Sequence, residues 1–370
     1  MSLDVITIAG ARPNFMKIAP LSWAFGRRPS VRHRIVHTGQ HYDANMSGRF
    51  FEDLRIPEPW RNLNVGSAPH GRQTAEIMSR FEPLLEEDRP DVVVVVGDVN
   101  STIACALVAS KMGIPVAHVE AGLRSFDRSM PEEINRLLTD AIADVLYVTE
   151  PSAVRNLAHE GCDPKRVVMT GNVMIDTLLE FRERATHSDI TERLGVPRKS
   201  CVTMTLHRPS NVDDRVKVRA LVDMMTEVAS LAPVVFPIHP RTRTRIKEAG
   251  VDLASIPGLV TCDPLGYVDF LALMDRSRLL MTDSGGVQEE ACLLQVPCLT
   301  LRDNTERPVT VDVGVNRLVG SNPAEALRVA KLILRDGAGK MGIPEMWDGH
   351  AAERIVTDLV ARFSGPGSPA

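Results

Sequence analysis

The sequence has no CxxC pair. Its six cysteines, Cys105, Cys162, Cys201, Cys262, Cys292 and Cys298, are scattered, most of them in or beside apolar runs. That argues against a disulfide framework or a zinc site and for buried free thiols. There is no basic surplus either. The formal net charge is -4, so the chain lacks the electrostatic footprint of a nucleic-acid binder. No apolar run approaches the roughly 20 residues of a membrane span. Residues 3–9 are apolar but too short and wrongly flanked for a signal peptide. Short-period repeats are absent, and the one low-complexity stretch is the SGPGSPA tail. These absences leave a soluble, cytoplasmic enzyme or binding protein.

At 370 residues the chain has the length of two domains, at about 150 residues each. Its most informative stretch is RLLMTDSGGVQEE, residues 278–290. The apolar run ending at Met281 reads as a buried strand that stops at Thr282-Asp283. Ser284, Gly285 and Gly286 then make a turn, and a helix is expected from Val287 to Leu294. A glycine turn at a helix start offers free N–H groups and the positive end of the helix dipole, which suits phosphate. Glu290, one turn on, would repel phosphate but could accept hydrogen bonds from sugar hydroxyls. The stretch reads as a nucleotide or nucleotide-sugar cradle. The competing reading is a plain tight turn with Ser284 as N-cap.

The first half of the chain repeats a strand–turn–helix form. Residues 4–9 predict a buried strand, followed by a turn at Gly10 and a helix carrying Arg12 and Lys17 near its start. Two cations there suit a diphosphate, or are surface charges. HRIVHTGQHYD (33–43) predicts a strand ending in a polar loop with Gln40, His41 and Asp43. The five valines of DVVVVVGDVNST imply a parallel strand buried on both faces, with Asp98 at its carboxyl end, where open α/β sheets bind ligands. GIPVAHVEAGLRS repeats the pattern, with Glu120 at the strand end. Two carboxylates at neighbouring strand ends are general acid/base material. MPEEINRLLTD begins a helix at Pro131, with Glu132 and Arg136 at i, i+4 on one face. Two further strands lie in 143–150 and 166–172, and a linker near Gly171-Asn172 closes a first domain at residue 172.

The second half, 173–349, repeats the form. SCVTMTLHRPSNVD predicts a strand followed by a loop with His207 and Arg208, candidates for proton transfer or phosphate contact. VVFPIHPRT places His239 and Arg241 after another strand. LVTCDPLGYVDFLALMDRS gives a strand, a turn at Leu265 and an amphipathic helix, in which Phe270 fits a base platform or the core equally. VPCLTLRDNTERP ends in a charged loop with Arg307. Helices near 323–335 and 347–363 complete the chain, the last at about 350–364 expected to return to the first domain.

GARPNFMKIAP, TGQHYD, GDVNST, HVEAGLRS, PEEINR, TLHRPSNVD, HPRT, DPLGY, TDSGGVQEEA and NTERP occur in this order from residue 10 to 308. Together they resemble the non-hydrolysing UDP-N-acetylglucosamine 2-epimerase family. The resemblance implies an α/β fold: two Rossmann-like domains of the GT-B type, parallel sheets flanked by helices, facing a central cleft. It implies reversible epimerisation at carbon 2 of UDP-GlcNAc to UDP-ManNAc, by elimination of UDP through a 2-acetamidoglucal intermediate and re-addition. No metal and no nicotinamide cofactor is implied, and the partners are the UDP-sugar and a second copy in a homodimer. Carried over by motif, Asp98, Glu120, Glu132 and His207 are catalytic. Arg12, Lys17 and Arg136 contact substrate. Leu265, through its backbone, and Phe270 hold uracil, while Ser284, Gly285, Gly286, Glu290 and Arg307 hold diphosphate and ribose. Gln40, Asp43, Arg72, Arg208 and His239, together with Glu132, align with a site at which many bacterial members bind an activating second UDP-GlcNAc. Asp43 departs from the Gln of several members, and an anion there disfavours such activation. Asn14 departs from the Glu of many. The alternatives are a 2-epimerase of another UDP-sugar, such as a UDP-2,3-diacetamido-uronic acid, and a hydrolysing enzyme releasing ManNAc and UDP.

Overall fold

The computed structural model describes residues 2–40 and 51–364, apart from the side chains of Arg12 and Pro13. Two compact units are present: residues 1–177 with 345–370, and residues 178–344.

The first unit is built on an all-parallel sheet of seven strands in the order β3-β2-β1-β4-β5-β6-β7. These are β1 (Leu3–Ala9), β2 (Val31–His37), β3 (Arg61–Asn62), β4 (Val92–Val96), β5 (Val116–Ala121), β6 (Val145–Val148) and β7 (Val167–Met169). The five valines of β4 are all buried, since helices cover both faces of the sheet. The order reverses between β1 and β4, so the crevice at the carboxyl ends of these strands is the place where such a sheet takes a ligand. Gly10 closes the turn after β1. A Cβ there would lie 2.7 Å from the Ser101 hydroxyl oxygen, so only glycine lets this turn pack on the helix Asn100–Lys111.

The second unit repeats the plan with six parallel strands in the order β10-β9-β8-β11-β12-β13. They are β8 (Val202–Thr205), β9 (Val234–Pro237), β10 (Leu259–Cys262), β11 (Leu279–Thr282), β12 (Cys298–Thr300) and β13 (Asn316–Leu318). Here the reversal falls between β8 and β11. Each unit has its own apolar core between sheet and helices.

The C-terminal helix, Ala351–Phe363, belongs to the first unit. Asp176 receives the backbone N–H of Ala351 at 3.2 Å and of Ala352 at 2.7 Å, capping its N-terminus. Tyr147 donates to Asp358 at 2.9 Å, and the buried Trp347 indole donates to the Thr149 carbonyl at 3.0 Å.

Three details differ from the sequence expectation. The helix after the SGG turn begins at Gly285, two residues early. The edge strand Arg61–Asn62 and the helix His70–Glu87 were not anticipated. That helix buries Gln73, Ile77, Phe81 and Leu85, one residue per turn, and the polar first member blurs the stripe. The cysteines are free thiols, with Cys105, Cys201, Cys292 and Cys298 buried. Among the described residues no helix is long and apolar enough to cross a membrane.

Candidate active site

In the first unit the chemistry gathers at the β1/β4 reversal. Val96 pairs with Val119, so Asp98 and Glu120 leave neighbouring strands side by side. Glu120 occupies a bulge: the β5–β6 register shifts between Val119 and Ala121, and Glu120 has φ +72°. A non-glycine residue in the left-handed region inside a strand is strained, and such strain clusters at functional positions. Its carboxylate forms a buried ion pair with Lys17, from the helix Arg12–Gly26 that comes after β1. Gly97 makes room for this pair, because a Cβ there would sit 3.2 Å from the Lys17 amine.

Asp98 is ion-paired with the buried guanidinium of Arg136. The expected i, i+4 pairing of Arg136 with Glu132 is not the one formed. Arg136 turns instead to Glu133, at 2.7 Å, and to Asp98. Glu133 is the buried member of the Glu132-Glu133 pair, and it also receives the amides of Ser125 and Phe126 at 2.9 Å. Glu132 stays half-buried. Both anions at the strand ends are thus held against cations.

Of the surrounding polar groups, Asn14 stood out in the sequence only as a departure from the Glu of many family members, and Asn135 was not picked out. Asn14 bridges two elements: its amide donates to the Val96 carbonyl at 2.9 Å, and its oxygen accepts the Ala11 N–H at 3.0 Å. Asn135 donates to the Asp98 carbonyl at 2.9 Å. Of the remaining first-unit candidates, Arg12 opens its helix, but its side chain is outside what the structure describes, and Asp43 and His41 lie outside the described residues. Gln40 points inward, its amide oxygen accepting from the Ser101 hydroxyl at 2.7 Å. Arg72 is exposed.

In the second unit the β8/β11 reversal brings His207 to Asp283, a residue whose sequence position suggested only a strand terminator. The half-exposed His207 ring has Nδ1 2.8 Å from Oδ1 of the buried Asp283. Asp283 also receives the Arg208 N–H at 2.9 Å and the Asn211 amide at 3.1 Å. Burial pushes its carboxyl upward, but His207 and these amide donors outweigh burial and hold it below the usual Asp range.

Ser284, Gly285 and Gly286 are half-buried at the start of the helix Gly285–Leu294, with the first-turn N–H groups at its mouth. Arg307 stands against this turn, its Nη1 only 3.4 Å from where a Gly285 Cβ would be. It is buried and bonds Glu289 at 3.0 Å. A helix start with a guanidinium beside it is an anion site. Glu290 differs from the expected open carboxylate. It is buried, and burial raises it to about 8, with Tyr267 beside it opposing and Glu289 adding to the rise. A protonated acid there both donates and accepts. Leu265 and Phe270 are half-buried, before and within the helix Tyr267–Asp275. Arg208 donates to the Asp283 carbonyl at 2.9 Å, and His239 caps the helix Pro240–Glu248 by accepting the Arg241 N–H. Among the described residues no His, Cys, Asp and Glu cluster is arranged to hold a metal.

The comparisons agree on one family. The UDP-N-acetylglucosamine 2-epimerase profile matches residues 24–360. The chain is 43% identical over 369 residues to a UDP-N-acetylglucosamine 2-epimerase of Methanocaldococcus jannaschii, covering 97% of this chain and 99% of that one. It is also 43% identical to a UDP-2,3-diacetamido-2,3-dideoxy-D-glucuronate 2-epimerase of Pseudomonas aeruginosa, covering 98% of this chain and 100% of the relative. Among solved structures, the Methanocaldococcus jannaschii UDP-GlcNAc 2-epimerase in complex with UDP-GlcNAc and UDP aligns with a TM-score of 0.89 at 42% identity, over 97% of this chain and 100% of that one. With two doubly wound sheets of the GT-B kind, paired carboxylates at one reversal and a glycine-rich anion turn near the other, the chain belongs to the UDP-N-acetylglucosamine 2-epimerase family.

Proposed function

We propose that the chain interconverts UDP-GlcNAc and UDP-ManNAc without releasing the free sugar. The observation that carries this is the placement of Asp98 and Glu120 at adjacent strand ends, each against a cation. Reversible epimerisation needs one group to take the carbon-2 proton and another to return a proton from the opposite face. In the forward half, the C2–H bond breaks, its electron pair forms the C1=C2 bond, and the C1–O bond electrons leave with UDP. Re-addition reverses these steps. Asp98, Glu120 and Glu132 supply the acid and base, with His207 as a further proton-transfer or phosphate-side group. Lys17, Arg136 and Arg12 contact the substrate. The N–H groups of the Ser284–Gly286 turn and Arg307 hold the departing diphosphate. Glu290 bonds the ribose, and Leu265 with Phe270 holds uracil.

A homodimer and a cytoplasmic location go with this reading. Asp43, an anion where several family members have Gln, supports turnover without a UDP-GlcNAc activator at Gln40, Asp43, Arg72, Arg208 and His239.

The equal identity to the Pseudomonas aeruginosa enzyme favours a second reading, in which the substrate is a UDP-2,3-diacetamido-uronic acid. Proton NMR in deuterated water tests both. The expected result is equilibration of UDP-GlcNAc with UDP-ManNAc and loss of the carbon-2 proton signal. Turnover of the uronic acid alone selects the second reading, and accumulation of ManNAc with UDP makes the enzyme hydrolytic.

A further inference from the structure

His118 lies on β5, two residues before Glu120, and is completely buried. Its Nδ1 is 2.6 Å from Oδ1 of Asp140, and its Nε2 is 2.8 Å from the Gly97 carbonyl oxygen. A peptide carbonyl can only accept. Asp140 accepts too, as a carboxylate set against a cation: its other oxygen takes the Gly122 N–H at 3.0 Å and the Arg124 guanidinium at 2.7 Å. Two acceptors on the two ring nitrogens require both to carry a proton.

Arg124 bonds Glu160 as well, at 2.7 Å and 2.8 Å. Burial pushes Asp140 upward, yet His118 and Arg124 hold it below the usual range.

We propose that His118 is a permanent buried imidazolium that positions Asp98 for catalysis by gripping the Gly97–Asp98 peptide. Gly97 has φ +69°, a conformation with little intrinsic preference over its mirror, so an outside bond must fix it. Nε2–H supplies that bond from one side of the peptide, and Asn135 holds the Asp98 carbonyl on the next peptide. A carbonyl bonded to a cation also polarises its own amide, and the N–H of that amide belongs to Asp98.

This inference rests on the reading of Asp98 as a catalytic carboxylate. The test labels the protein with 15N-histidine and records ring N–H couplings at pH 6 to 9, assigning His118 by its absence in His118→Asn. The expected spectrum has two protonated ring nitrogens throughout. A bare ring nitrogen at any of these pH values overturns the imidazolium. In parallel, kcat and KM for UDP-GlcNAc are measured for His118→Asn. The expected kcat falls roughly 10²-fold, as for a misplacement of about 1 Å, with KM within about 3-fold. Should that variant not fold, Asp140→Asn supplies the kinetic arm. Wild-type kcat overturns the positioning role. Asp98→Asn is run beside them: if it keeps full activity, the underlying site reading fails, whereas an inactive Asp98→Asn beside a fully active His118→Asn sinks this inference alone.

Discussion

His207 Nδ1 lies 2.8 Å from Oδ1 of Asp283, tying a half-exposed ring to a carboxylate with no exposure at all. The carboxylate fixes the tautomer and the direction of the ring, leaving Nε2 to face outward. Asp283→Asn keeps the shape but turns an acceptor into a partial donor among donors. Its kcat is expected to fall by about 10²–10⁴-fold, with UDP affinity by calorimetry changing far less. An unchanged kcat would remove the His207–Asp283 pair from the mechanism.

Lys17 and Glu120 are buried partners. Removing one leaves the other charge stranded, at a cost of about 3–5 kcal/mol. Lys17→Met should therefore lower stability in urea unfolding by that order, and Lys17→Met with Glu120→Gln should recover more than half. Both variants should be inactive. Additive losses in the double variant would show that the two side chains are not coupled.

Glu290 keeps its proton up to about pH 8 in the folded chain, while in the unfolded chain it ionises near pH ~4.3. Between those values folding takes up a proton, so stability falls as pH rises through this window. Glu290→Gln should flatten the decline in urea midpoint between pH 5 and 8. An equally steep decline in the variant would place the titrating group elsewhere.

Asp176 has the same sign over a lower window. Burial raises it to about 6 despite the Ala351 and Ala352 amides, so its contribution is complete below the ordinary Asp range and is lost as pH rises through about 6. Asp176→Ala removes the cap of the C-terminal helix and should cost about 0.5–2 kcal/mol. Amide exchange along Ala351–Phe363 should accelerate. Exchange that stays slow would mean Trp347 and Tyr147 anchor the helix by themselves.

Much of this molecule is legible in its sequence because parallel strands buried on both faces are mostly apolar runs, as in the five valines of Val92–Val96 and the Leu-Leu-Met that opens Leu279–Thr282. The residues just after each run are polar and begin a helix, so Asp98, Glu120, His207 and the Ser284–Gly286 turn announce themselves. The partnerships stayed hidden. His118 meets Asp140 across 22 residues, and His207 meets Asp283 across 76. Nothing local signals either, since strand adjacency is set by the whole sheet. His118 was visible only as a polar residue inside an apolar strand. Glu132 and Glu133 were separable only by helix rotation: the structure buries Glu133 against Arg136 and leaves Glu132 half-buried.

The left-handed backbone at Glu120 decouples two quantities that mutagenesis usually confounds. Asp and Asn enter that backbone region more readily than Glu does, so Glu120→Asp asks nothing new of the main chain. It shortens the arm by one methylene and draws the carboxylate back from Lys17. The position is a ruler: substitution there reads how far a carboxylate must extend, free of the conformational penalty that would blur the same experiment at a regular strand residue.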